Sequence, residues 1–150
     1  MQKHLETLEE AATHTTDEAR MLLPGVQAIL GFQLVAVTNQ RFELLSGGEQ
    51  LVFLAAFVLL AVAMGLIMAP AAYHRLVERG RVTRRFIDLS STLLAIALVP
   101  LILAFSADTY LVARIILEDR TMAVVIAAIV GLVLTGLWYG MPAVCRRLKT

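Results

Sequence analysis

Apolar residues fall into four long blocks, and the short stretches between them gather nearly all the charge. The most uniform block, LVFLAAFVLLAVAMGLIMAPAA at 51–72, holds no charged residue. At about 1.5 Å rise per residue a helix of this length reaches about 33 Å, enough to cross a hydrocarbon core about 30 Å thick. The blocks at 21–38, 86–107 and 121–144 have similar character, so the pattern predicts an all-α integral membrane protein, four transmembrane helices in an antiparallel bundle. The first block is the least compatible with lipid, because Pro24 removes a backbone donor and two amides interrupt it. At 100° per residue Gln27, Gly31, Leu34 and Thr38 share one face, while Gln33 and Gln40 share another. An unsatisfied amide in lipid is costly, so both faces are expected to meet protein or water.

The connecting stretches carry their own patterns. Residues 1–20 read as a polar helical arm, with Leu5, Leu8, Ala12, Thr15, Ala19 and Leu22 at three-four spacing. Thr15 and Glu18 have capping-box spacing, which predicts a break near 13–15 and a new helix entering the membrane. Residues 39–50 read as a flexible loop ended by Ser46, Gly47 and Gly48. Ala61, Gly65 and Ala69 form a small-residue stripe in the second span, with Pro70 near its end and Tyr73 and His74 at interface depth. In the third span Asp88 falls in the first turn, where a carboxylate suits the positive helix end, and Pro100 predicts a mid-span kink or a carbonyl left free for a partner. Residues 108–120 are expected to lie on the membrane surface, with Asp108, Arg114, Glu118, Asp119 and Arg120 turned to water. The fourth span has a second stripe, Ala123, Ala127, Gly131 and Thr135, and a GxxxG pair, Gly136 and Gly140. Trp138 and Tyr139 anchor its end, and residues 146–150 form a basic tail.

Charge adds an orientation. Of thirteen lysines and arginines, ten lie in the first, third and fifth flanks of the spans, five of them in the stretch 75–85 (Arg75, Arg79, Arg81, Arg84, Arg85). The positive-inside rule then places both termini, the arm and the tail in the cytoplasm. Composition agrees with a bilayer as the main partner: 59% of the 150 residues are hydrophobic and 17% charged. A net charge of +1 argues against nucleic acid as a partner, and one cysteine, Cys145, excludes an internal disulfide or a thiolate metal cage. The polar start of the chain is no cleavable signal peptide, so targeting is expected to fall to the first span.

The stretches LLPGVQAILGFQL (22–34), QRF (40–42) and above all MAPAAYHR (68–75) resemble a family of small bacterial four-span membrane proteins, catalogued only as a domain of unknown function. The likeness extends over roughly residues 20–145. It implies a bacterial inner-membrane protein of four helices and brings with it no activity, cofactor or site residue.

Candidate chemistry is therefore read from the residues. Gln27, Gln33, Thr38 and Gln40 are candidates for a polar path, the alternative being hydrogen bonds that tie helices together. His74, Arg75, Arg84, Arg85 and Asp88 are candidates for a cytoplasmic mouth; a helix cap with flanking positive charge explains them equally, and the arginines also suit anionic lipid headgroups. The stripe residues Ala61, Gly65, Ala69, Ala127, Gly131, Gly136 and Gly140 are candidates for helix packing. No nucleophile-base pair, phosphate loop or metal-ligand spacing is evident, so neither an enzyme nor a cofactor is expected. Two function classes remain: a subunit of a homo-oligomeric channel or transporter for an ion or small polar solute, and a structural or accessory protein packed against a larger membrane partner. Four spans seldom enclose a path alone, so transport requires assembly.

Overall fold

A computed structural model describes residues 8–77 and 83–147. Lys3, His4, Leu5, Arg79, Arg81 and Lys149 lie outside the described residues. Four helices account for most of the chain: α1 (Leu8–Val37), α2 (Gly47–Leu76), α3 (Arg84–Leu117) and α4 (Arg120–Arg147). All four contain stretches long and apolar enough to cross a membrane, and they pack side by side in an antiparallel bundle. The protein is a multi-pass membrane protein of the expected class. One end of the bundle gathers the start of α1 and the end of α4, and is called the terminal end; the other is the distal end.

α3 is the central element, touching each of the other helices, and the reason is visible in its spacing. Ser90, Leu94, Ala97, Leu101, Ala104, Asp108 and Leu111 recur at intervals of four and three, which sets them in one inward seam. α2 offers a matching seam of Glu49, Phe53, Ala56, Leu60, Ala63, Ile67 and Pro70. Ala56, Ala63, Ala97 and Ala104 are at most 1% exposed, and such small side chains let the two backbones approach closely. α1 contributes a residue every seventh position, Ala12, Ala19, Val26 and Gln33, and Val26 joins the core of Leu60, Ile67, Leu94 and Leu101. α4 lies on the other side of α3, burying Ala123 and Ala127.

Four local expectations are corrected. α1 runs without a break through Thr15 and Pro24, and the Thr16 hydroxyl bonds back to the Ala12 carbonyl at 2.8 Å inside it. The stretch 39–50 is mostly structured. Asn39 caps a 3-10 turn at Gln40–Leu44, and α2 begins at Gly47, where Ser46 and Glu49 form a reciprocal capping box. Residues 108–117 do not peel onto the membrane surface but continue α3, which ends only at Glu118, held in the left-handed region at φ 56°. Asp119 then caps α4 by accepting from the Thr121 and Met122 amides, so α3 and α4 are joined by two residues. The pair Gly136 and Gly140 bounds a π turn within α4, and no neighbouring helix lies within 4 Å of the Cβ that either would carry.

Candidate functional site

Polar residues on an inward seam must find partners, and near the distal end they find one another. Gln33 is 4% exposed on α1, and its side-chain amide donates to both carboxylate oxygens of Asp108, at 2.7 and 3.0 Å. The seam register of each helix puts them there: Gln33 continues the Ala12–Val26 series, and Asp108 falls between Ala104 and Leu111. The Gln33 carbonyl oxygen Oε1 is buried and accepts no hydrogen bond among the described residues.

Closer to the distal end, a second carboxylate is treated differently. Glu49, 8% exposed, accepts from the Ser46 amide and hydroxyl at 2.8 Å each, from the Tyr110 hydroxyl at 3.2 Å and from Arg114 Nε at 2.9 Å. This carboxylate is saturated, with its charge balanced by a guanidinium that is 30% exposed. The arrangement fastens the first turn of α2 to the last turns of α3. Arg114, expected in water, is thereby turned inward.

Asp108 has no such cation among the described residues. Gln33 supplies its hydrogen bonds among the described residues, so part of its acceptor capacity is unused. It also borders two cavities. A gap of about 510 Å³ opens between α1 and α4 above α3, walled by Ile29, Phe105, Thr109, Ala113 and Ile126. A hollow of about 400 Å³ lies on its other side, beneath the first connection, walled by Phe32, Asn39, Arg41, Phe42 and Phe53. Ile29, Asp108 and Val112 border both. A carboxylate thus stands at the junction of two mainly apolar cavities, about 14 Å along α3 from its distal end. Chemically it can hold a cation or a hydrogen-bond donor.

The other sequence candidates are distributed differently. Gln27, Thr38 and Gln40 are exposed on α1 and the turn after it, away from Gln33, and the Thr38 hydroxyl bonds the Val35 carbonyl at 2.8 Å. Ala61 and Gly65 are exposed and Ala69 half-buried, with nothing within 4 Å of a Cβ built on Gly65; the helix packing of α2 uses its alanine seam instead. Ala127 is buried against α3, and a Cβ on Gly131 would meet the Ser106 hydroxyl at 2.7 Å. At the terminal end His74 is half-buried with its ring 5.3 Å from that of Phe86, which also stacks on Tyr73 at 6.3 Å. Arg75, Arg84, Arg85 and Asp88 are exposed, and the cap of α3 is Thr83, whose hydroxyl accepts from the Phe86 amide. No group of three or more His, Cys, Asp or Glu side chains among the described residues could hold a metal ion.

The residues that sequence reasoning passed over are Asp108, Glu49, Tyr110 and Arg114. Their signal was the four-three register of α2 and α3, hidden because the flanking positions are also apolar.

No curated protein and no solved structure matches the chain. A family model does match, over residues 4–142, which is most of the sequence. With four apolar helices spanning that same stretch, the chain belongs to the family of unknown function DUF6328.

Proposed function

We propose that the protein is a subunit of a homo-oligomeric channel or transporter for a cation or small polar solute, with Asp108 and Gln33 as its binding locus. The observation that carries this reading is the Asp108 carboxylate, which has one amide for company and two cavities beside it. A carboxylate kept only for packing would be saturated, as Glu49 is; one left with spare acceptors and an open approach is suited to a passing ligand. The exposed face of α1 supports assembly, since Gln27 and Thr38 would otherwise lie against lipid. In this reading the termini and the arginine-rich connection are cytoplasmic, in a bacterial inner membrane, and the α1 faces of neighbouring subunits border the path.

The test is flux of potassium, sodium and protons into liposomes holding the purified protein. Wild type should support flux of one of these species, and Asp108→Asn should lower it at least about tenfold, with the oligomer unchanged in native mass spectrometry. An unchanged flux in Asp108→Asn would remove the site from the mechanism. The accessory reading is favoured instead by a wild type with no flux that extracts in mild detergent with a second protein.

A further inference from the structure

The terminal end holds a separate cleft of about 800 Å³, between the first half of α1 and the facing parts of α2 and α3. Its floor is apolar, formed by Leu23, Ile67, Met68 and Ala71. Its rim is polar, with Thr16, Asp17 and Arg20 on α1 and His74 and Arg75 on α2; among the described residues Asp17 is the one acid lining it. Arg20 and Asp17 approach only to 3.5 Å and remain largely solvent-facing, at 76% and 50% side-chain exposure, so that pair leaves Arg20 able to bind elsewhere. Ser90 also lines the cleft. Its hydroxyl is fully buried and has no hydrogen-bond partner among the described residues. An orphaned hydroxyl in a helix seam is unexpected, because a serine commonly bonds back to the carbonyl four residues earlier, as Ser106 does to Ile102.

We propose that this cleft is a binding site for one anionic phospholipid. The phosphate lies between Arg20 and Arg75, and the Ser90 hydroxyl donates to a glycerol or ester oxygen. An acyl chain follows Leu23, Ile67 and Met68 toward the bilayer interior. The combination of groups argues for this occupant over a free anion: two arginines, an orphaned hydroxyl and a hydrocarbon floor line one cleft. Such a combination matches the headgroup, backbone and chain of a phospholipid. The proposal is independent of the Asp108 site, which lies at the opposite end of the bundle.

The experiment is native mass spectrometry of the full chain, released from nanodiscs containing phosphatidylglycerol and phosphatidylcholine in equal amounts. Wild type is expected to retain one phosphatidylglycerol in preference to phosphatidylcholine. Arg20→Gln with Arg75→Gln should weaken retention about 30-fold, at about a factor of five per arginine. Arg84→Gln with Arg85→Gln removes the same charge from the same end outside the cleft and should leave retention near wild type. Ser90→Ala, which empties no cavity larger than one oxygen, should weaken it as well. Equal retention of the two lipids, or equal losses in the two arginine pairs, would overturn the proposal. So would thermal protection by inorganic phosphate matching that by phosphatidylglycerol, because then the chain-binding floor contributes nothing.

Discussion

At the scale of single residues, the polar side chains of α2 and α3 divide into satisfied and unsatisfied ones, and the division predicts how each tolerates change. Replacing Gln33 by Leu leaves the Asp108 carboxylate without a donor, and should lower stability by about 1–3 kcal/mol. Replacing both Gln33 and Asp108 by Leu removes the unpaired group and should recover most of that loss. A double-mutant cycle on detergent or urea unfolding midpoints checks this, with a coupling near zero excluding the bond. Gly131→Val drives side-chain carbon against the Ser106 hydroxyl, itself tied to Ile102, and should cost about 1–3 kcal/mol by the same measurement. Glu118→Gly should act in the other direction. A residue with a Cβ at φ 56° carries strain that glycine lacks, and the exchange should raise stability by up to about 1 kcal/mol.

At the scale of elements, the four apolar blocks were legible because span length and absence of charge are properties of composition. Element ends were less so, and each miss has a physical cause. Ser46-Gly-Gly-Glu49 is a capping-box string, yet the two glycines also suit a loop; the helix that starts at Gly47 has the capping box and, in addition, Tyr110 and Arg114 bonded to Glu49. Residues 108–117 have enough charge to look interfacial; once Asp108 meets Gln33 and Arg114 meets Glu49, those charges become reasons to stay in the bundle. The candidate site was half legible. Gln33 was singled out as one of two faces that needed a partner, but which residue would meet it depended on a register shared between distant helices. Glu49→Ala removes the cap and the Arg114 partner together, and should cost about 2–3 kcal/mol. Helix-specific hydrogen exchange should show the loss first at the start of α2 and the end of α3; uniform protection would indicate that the network is dispensable.

At the scale of the whole molecule, α3 is shared by both other sides of the bundle while α1 and α4 remain apart, and the distal gap between them is a consequence of that layout. An oligomer closes such a gap more readily than a monomer, so a discrete homo-oligomer is expected from native mass spectrometry in mild detergent. A monomer would leave α1 with its exposed amide at Gln27 facing lipid. For orientation, a reporter that folds only outside the cytoplasm should stay inactive when fused after Thr150.

The continuation of α3 to Leu117 sets a further condition on the surrounding lipid. From Phe86 to Leu117 the helix spans about 48 Å, and Leu89, Ile96, Leu103, Val112 and Ile116 keep its outer side apolar along about 40 Å of that distance. Tilting alone would need about 40° to fit this ridge into a layer about 30 Å thick, about twice the tilt that membrane helices average. Acyl chains next to α3 must therefore stretch to meet it while those beside the shorter α1 do not, and the protein should draw longer-chain lipids to one flank and be more stable in bilayers that supply them.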